Sequence, residues 1–430
     1  MSILKDIPEL ISAGIISQET ADKISDYYSN KTRNSPNRLF IVFGIFGAIL
    51  VALGIILLVA HNWDDLSRPT KSFFAFLPLV VGQLLCGFVL SKKTGSIAWS
   101  ESTSAFLFFS VGACISLIAQ IYNIPGDLTS FLLTWILLCL PLVYLMQSSI
   151  TSLLYVTGIT YYAVEISYWF FLSNPSSGSY LYWSLLLAVL PHYYLLYKKK
   201  PESNFMIFHN WLVPLSVIIC LGTVAKNEGE LMYIAYFSLF GLFYLIGSSK
   251  FFQRQKLRNN GYKILGSLGT IVLLLVLSFD GFWSGLRNKD FISNEVITSP
   301  EFVAAAVISL LGFGILYFQQ KNKTSKEIEP MALVSILFII TFIIGLVSPV
   351  SVVIINLFVF TIGLLTIFDG AKKDHLGVLN YGLLIIMVLA ICRFFDTDLS
   401  FIIRGFLFVS VGIGFFATNY WMLKKRKTNE

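Results

Sequence analysis

Residues 72–91 read SFFAFLPLVVGQLLCGFVLS and contain no charged side chain, and this stretch decides the fold. An α-helix needs about 20 apolar residues to cross a hydrocarbon core of roughly 30 Å. Inside a bilayer, only helices and closed barrels satisfy all of their own backbone hydrogen bonds. The stretch therefore predicts a transmembrane helix.

Similar apolar runs, separated by short polar breaks, continue along the chain from Leu39. They predict an all-α, polytopic helical bundle of about 14 spans, or 12 if weak breaks at 147–150 and 348–349 merge neighbouring runs. The predicted spans lie at residues 39–60, 72–91, 104–121, 129–147, 150–171, 179–197, 205–223, 230–248, 264–280, 302–318, 331–347, 350–368, 377–395 and 399–421.

The composition of the whole chain agrees with a membrane protein. Of 430 residues, 56% are hydrophobic and 13% are charged, and the mean hydropathy is +0.75. Soluble domains carry roughly 25% charged residues, so a water-soluble fold of this size is excluded. The net charge of +7 comes from short loops between apolar runs, which makes membrane lipids the expected partners and nucleic acid an unexpected one.

The segment before the first span is polar and amphipathic. Gly14 is predicted to end one helix and Ser17 to cap a second, whose Ala21, Ile24 and Tyr28 form one apolar stripe. We therefore expect a short cytosolic helical hairpin and linker over residues 1–38, with a possible protein partner. A transmembrane domain is predicted to follow over residues 39–430. One alternative divides it into two halves, near residues 39–223 and 230–421. The sequence leaves the oligomeric state open.

The loop charges predict a direction in the membrane. If the N-terminus is cytoplasmic, all but seven of the 31 Lys and Arg residues fall on the cytoplasmic side. The exceptions are Arg68, Lys71, Lys226, Arg287 and Lys289 in outer connections, and Arg393 and Arg404 within spans. Because basic residues accumulate on the cytoplasmic side of membrane proteins, both termini are predicted to be cytoplasmic.

Polar side chains at the predicted outer ends of several spans form a candidate pocket. Polar groups at membrane depth are costly and often mark a functional site, although packing between helices or an ordinary polar turn explains them equally. Glu165 is the most informative of them, since a carboxylate inside a span must be protonated, paired or open to a cavity. The candidate pocket comprises Asn62, Trp63, Asp64, Gln120, Tyr122, Asp127 and Glu165.

A second polar cluster surrounds the last predicted outer turn. It comprises Arg393, Asp396, Asp398 and Arg404. Opposite charges on neighbouring helices favour an ion-paired structural clamp, and the alternative is an anion site built on the guanidinium groups.

The sequence predicts neither a metal site nor a cofactor. All five cysteines lie in apolar runs without CxxC spacing, and the four histidines are scattered along the chain. Catalytic residues remain unknown, because no nucleotide-binding, metalloprotease or serine-hydrolase motif occurs in a suitable context. Other polar residues within predicted spans are Gln83, His192, His209 and Asn356.

One set of motifs resembles a known family. It comprises the segment from Leu10 to Ile24, Ala60-x-Asn62-Trp63, Ile118-Ala119-Gln120-x-Tyr122, Gly126-Asp127 and Leu140-Pro141-Leu142. Together these resemble the bacterial predicted membrane-protein family called domain of unknown function 2157, over about residues 1–150. The resemblance implies a bacterial inner-membrane location and a cytosolic segment before the first span. It implies no activity, substrate or cofactor.

Three function classes remain open at this level. The first is a transporter or flippase-like carrier with a polar pocket on its outer side. The second is a non-catalytic sensor or scaffold that uses the N-terminal helices. The third is a transferase acting on a lipid-linked substrate, with Asp64 or Asp65 as a base after the first span. A non-enzyme is favoured.

Overall fold

The computed structural model describes residues 3–33, 63–168, 180–226, 229–253, 255–287, 294–321, 330–395 and 400–429. The chain divides into two compact units, Met1–Ala75 and Phe76–Glu430. The boundary predicted near residue 38 falls outside the described residues and stays a prediction.

The N-terminal hairpin forms as the sequence predicts. Helix α1 (Ile3–Ser12) ends before Gly14, whose φ of +70° is the left-handed conformation that ends many helices. Helix α2 (Gln18–Arg33) begins after Ser17, whose Oγ accepts a hydrogen bond from the backbone N–H of Thr20 at 3.3 Å. Ala21 is buried, and α1 and α2 pack against each other.

The remainder of the described chain is α-helical with short 3₁₀ turns, and no strand occurs in any described range, so the all-α prediction is confirmed. The helices are α3 (Arg68–Lys92), α4 (Ile97–Ile121), α5 (Leu128–Leu145), α6 (Ser149–Tyr168), α7 (Leu181–Lys199), α8 (Asn204–Leu221), α9 (Met232–Gly247), α10 (Lys250–Gln253), α11 (Gly261–Val276), α12 (Asp280–Leu286), α13 (Asn294–Ile297), α14 (Pro300–Gln320), α15 (Pro330–Gly345), α16 (Val350–Lys372), α17 (Leu376–Phe394) and α18 (Phe401–Asn429).

Every predicted span after residue 62 coincides with one of these helices. Among the described residues, eight helices are long and apolar enough to cross a membrane, or nine if the bent pair α11–α12 counts as one span. The predicted span 39–60 lies outside the described residues. The protein is thus a polytopic membrane bundle, and the count of fourteen remains a prediction.

Successive helices of the second unit run in opposite directions, which gives the bundle two distinct ends. Ser100 Oγ donates to the carbonyl oxygen of Met146 at 2.5 Å, and Gln319 Nε2 donates to that of Leu245 at 3.0 Å. We call the end that holds these contacts the basic end. In the described part of the second unit it carries Lys92, Lys93, Lys198, Lys199, Lys200, Lys250, Lys256, Arg258, Lys263, Lys321, Lys372 and Lys373.

The largest apolar cluster surrounds a sharp break between α11 and α12. The two helices meet at 78°, although residues 277–279 contain neither Pro nor Gly. Trp283 of α12 is fully buried, and its Nε1 donates to the carbonyl oxygen of Leu277 at 2.8 Å. The indole packs closely on Gly345 and the ring of Phe342. Trp283 follows the predicted span 264–280, in a connection that the sequence predicts to lie outside the membrane. This connection therefore contributes a core residue.

Candidate functional site

The predicted pocket residues near the first span lie in the first unit. Asn62 is outside the described residues. Trp63 is half-buried, and the Nζ atom of Lys71 lies 5.9 Å from its ring centroid. Asp64 is exposed, and its backbone carbonyl oxygen accepts from the same ammonium group at 3.5 Å. Pocket membership for Trp63 and Asp64 stays a prediction.

The next three predicted residues lie in the last turn of α4 and in the connection to α5, at the end of the bundle opposite to the basic end. Gln120, Tyr122 and Asp127 are exposed there. Glu165 is half-buried near the same end of α6, and it forms no hydrogen bond or ion pair with any described residue. The structure thus places these four residues at one end of the bundle. Glu165 forms no hydrogen bond with the other three.

Asp127 is the N-cap of α5. Its Oδ1 accepts the backbone N–H of Ser130 at 2.6 Å, and this bond lowers the pKa of the carboxyl group below its ordinary value of 3.8. A lowered folded-state pKa stabilises the fold above the unfolded pKa, and the stabilisation is lost as pH falls through the folded pKa.

We therefore expect Asp127→Ala to unfold at a lower temperature than wild type at pH 7 and at the same temperature well below pH 3.8. Thermal unfolding in a non-ionic detergent across this range measures the difference. A gap between the two proteins that persists unchanged at the lowest pH would contradict the capping role of the carboxylate.

The predicted arginine cluster is only partly described, since Asp396 and Asp398 lie outside the described residues. Arg393 Nη2 donates to Ser278 Oγ at 3.1 Å, and its guanidinium lies 4.5 Å from the ring centroid of Phe279. The guanidinium of Arg404 lies 5.0 Å from the ring centroid of Phe401. Arg393 therefore contacts the break between α11 and α12, a partner that the sequence does not predict.

The basic end holds a buried carboxylate that the sequence analysis missed. Glu101 is only 6% exposed. It accepts hydrogen bonds from Ser148 Oγ at 2.5 Å, from the backbone N–H of Ser149 at 2.9 Å and from that of Ile150 at 2.8 Å. The first turn of α4 is thereby tied to the N-terminus of α6, where unpaired N–H groups and the helix dipole favour a negative charge.

A cavity of about 520 Å³ opens beside this carboxylate. Its walls come from the C-terminal ends of α3, α5 and α7 and from the N-terminal ends of α4, α6 and α8. The polar lining includes Lys93, Lys199 and Lys200, whose side chains are exposed, together with Ser96 and Gln147. The apolar lining includes Leu90, Leu145 and Leu195, whose side chains are also exposed on the outside of the described bundle. One cavity therefore combines three cationic groups with an apolar wall.

Two neighbouring histidines lie at the cavity or next to it. His192 of α7 lines it and is 6% exposed, and its buried Nε2 has no hydrogen-bonding partner among the described residues. His209 of α8 is buried, with its ring centroid 6.2 Å from that of His192. His209 is fully bonded, because Nδ1 donates to the Phe205 carbonyl at 2.7 Å and Nε2 pairs with Ser152 Oγ at 2.9 Å.

Only some of the residues of this cavity could be recognised from the sequence. His192 and His209 stood out as polar residues within spans, and the lysines stood out as orientation signals. Glu101 did not, since residues 100–104 are all polar and the predicted span began at residue 104. Helix α4 begins earlier, at Ile97, and its hydroxyl groups are satisfied by its own carbonyls, with Thr103 Oγ1 donating to Trp99 at 2.8 Å and Ser104 Oγ to Ser100 at 2.6 Å.

Comparison with known proteins supports the membrane assignment. Residues 8–152 match the family described as predicted membrane protein (DUF2157), which confirms the resemblance expected over about residues 1–150. Neither the curated proteins nor the solved structures give a match. The matched region contains Glu101 and the α3–α6 part of the cavity wall, and the histidines and Lys199 and Lys200 lie beyond it.

Proposed function

We propose that this membrane protein binds the anionic head group of an amphiphile in the basic cavity and carries that head group across the bilayer. The observation that carries the proposal is the meeting of three lysines with an apolar wall in one cavity. Small ligands often bind between the helices of a bundle. The carrier class follows the sequence analysis, whereas the location of the site is new.

The charge of the cavity favours an anion. Lys93 comes from the turn between α3 and α4, Lys199 is the last residue of α7, and Lys200 follows it. Ammonium groups act as strong donors to phosphate and carboxylate oxygens. The Glu101 carboxylate opposes an anion less than a free carboxylate would, because three donors already bind its oxygens.

The apolar wall favours an amphiphile over a free inorganic anion. Leu90 is 47% exposed, Leu145 is 65% exposed and Leu195 is 44% exposed, although each also lines the cavity. Exposed leucines on a membrane bundle are suited to contact with lipid chains. A molecule with its head group at the lysines can therefore place its hydrocarbon chain along this wall.

The proposed site lies at the opposite end of the second unit from Gln120, Tyr122, Asp127 and Glu165, which belong to the pocket that the sequence analysis favoured. The loop charges predict that the basic end is cytoplasmic. In the proposed carrier, the head group is loaded from the cytoplasmic leaflet, and Gln120, Tyr122, Asp127 and Glu165 belong to the end where it would be released. The transferase alternative draws no support from the described surroundings of Asp64.

Binding is tested with short-chain lipids on the purified full-length protein in a non-ionic detergent. We expect dihexanoyl phosphatidylglycerol to bind, and dihexanoyl phosphatidylcholine and inorganic phosphate to bind far more weakly. Replacement of Lys93, Lys199 and Lys200 by Gln should weaken binding roughly 100-fold, because each lysine contributes about 1 kcal/mol to an anionic lipid surface. Isothermal titration measures the dissociation constants.

A matched control removes the same charge from the same end of the bundle. Lys250, Lys372 and Lys373 are exposed and lie outside the cavity lining, so their replacement by Gln should leave binding within about twofold. Equal losses in the two triple variants would mean that general surface charge, rather than the cavity, attracts the lipid. Equal binding of phosphate and phosphatidylglycerol would identify a free-anion site.

A second assay separates a carrier from a static binding protein. In liposomes, a fluorescent phosphatidylserine in the inner leaflet becomes accessible to an external quencher only after its head group crosses the bilayer. We expect wild type and the control variant to accelerate this crossing and the cavity variant to lose the acceleration. Binding without accelerated crossing would favour the sensor or scaffold alternative, for which the folded N-terminal hairpin, with Ile15 68% exposed, offers a protein-binding surface.

A further inference from the structure

His192 is the one described side chain lining the basic cavity that has a buried polar atom without a hydrogen-bonding partner. Buried imidazole nitrogens are normally paired, and an orphaned one calls for an explanation such as an absent ligand. The residue is more than nine-tenths buried, and an unpaired polar atom at a buried position is costly. Nearby His209 does not need one, because Phe205 and Ser152 occupy both of its nitrogens.

The rings next to His192 are Tyr144 of α5 and His209 of α8. The charged groups that line the same cavity are Lys93 after α3, Glu101 of α4, Lys199 of α7 and the adjacent Lys200, while α6 contributes the uncharged Ser149. The Tyr144 ring meets the imidazole edge-to-face at 6.5 Å. Cations therefore outnumber the single carboxylate at the cavity, and this excess disfavours a further positive charge while the cavity holds no anion.

We propose that His192 binds the head group of the amphiphile and takes up one proton from solvent when the anion enters. A bound anion reverses the local charge balance and favours the imidazolium form, which can donate a charge-assisted hydrogen bond to a phosphate oxygen. A nitrogen–hydrogen bond forms on the imidazole, no bond of the ligand breaks, and the proton returns to solvent on release. Such uptake presupposes the anion-binding site of the proposed function.

Proton-linked binding has a measurable consequence. If the bound state holds one more proton than the free state, affinity rises as pH falls, by up to tenfold for each pH unit. A carrier with this property would bind its cargo more strongly on the more acidic side of a membrane and release it more readily on the alkaline side.

The test is isothermal titration of the full-length protein with dihexanoyl phosphatidylglycerol at pH 7 in buffers of different ionisation enthalpy. A phosphodiester keeps a fixed charge of about −1 near neutral pH, so any proton taken up comes to rest on the protein. We expect wild type to take up between about half and one proton per lipid. His192→Gln should take up none and bind roughly 10-fold more weakly, through loss of a charge-assisted bond.

His375→Asn is the matched control, since His375 is exposed at the same end and caps α17 through Nδ1. It should retain wild-type affinity and proton uptake. His192→Asn serves as a second variant where His192→Gln folds poorly. Wild-type binding without proton uptake, or unchanged uptake in both His192 variants, would overturn the role of His192 alone. Absence of lipid binding by wild type would overturn the proposed function itself.

Discussion

Glu101→Ala is expected to lower the free energy of unfolding by about 3 kcal/mol. The carboxylate is the common acceptor for Ser148 Oγ and for the backbone N–H groups of Ser149 and Ile150. Its removal leaves two N–H groups at the buried start of α6 without an acceptor. Each orphaned buried donor costs about 1–3 kcal/mol, and water from the adjacent cavity recovers part of this loss.

The measurement is unfolding by SDS titration in mixed micelles, followed by tryptophan fluorescence. Glu165→Ala is the matched control, because Glu165 lies in a neighbouring helix, is half-buried and has no described partner. We expect the control to remain within about 0.5 kcal/mol of wild type. Equal stability of the two variants would show that the contact between α4 and α6 has no energetic importance.

Trp283→Ala is expected to cost about 3–5 kcal/mol, the usual range for truncation of a buried large aromatic side chain. Trp283 is fully buried among Leu277, Phe342 and the surface of Gly345. The variant also leaves the Leu277 carbonyl without the indole N–H that satisfies it at the break between α11 and α12. We therefore expect loss of packing and of one backbone partner together.

The same SDS titration measures this loss. Trp99→Ala provides the control, since Trp99 is 45% exposed and belongs to the long helix α4. Trp283→Phe separates the two contributions, because it retains most of the packing and should cost about 1–3 kcal/mol for the lost hydrogen bond. A Trp283→Ala protein as stable as the Trp99 variant would mean that the break does not depend on the indole.

Much of the helical architecture was predictable because the bilayer simplifies the problem. Hydropathy located a helix for each predicted span after residue 62, since a helix must keep apolar side chains in the membrane, although α4 begins well before and α18 ends well after the predicted bounds. The ends of the N-terminal helices were equally predictable, because Gly14 and Ser17 act through local backbone geometry. These features depend on neighbours in the sequence.

The break between α11 and α12 was not predictable for the opposite reason. Residues 264–280 are predicted as one span, and no Pro or Gly within residues 277–279 indicates a break there. The indole of Trp283 instead packs against Gly345, a residue far along the chain, and Asn356 Nδ2 donates to the Ser278 carbonyl at 3.1 Å. The helix ends where distant residues provide better partners than its own next turn.

The basic cavity escaped prediction because its residues have another sufficient explanation. Lys93, Lys199 and Lys200 read as orientation signals, and orientation needs no cavity. Their convergence depends on how the turn after α3 and the turn after α7 approach each other, which no local pattern encodes. The residues predicted for sites at the opposite end have a suitable chemical type. Whether these residues share one pocket stays a prediction.

Helix α11 is too short by itself to match an ordinary bilayer. It has 16 residues and ends at the 78° break before α12. At 1.5 Å per residue it is about 24 Å long, against an average hydrocarbon thickness near 30 Å. Either the surrounding lipid thins, or water penetrates above the recessed helix end. Both outcomes shorten the low-dielectric barrier that a polar group must cross beside α11.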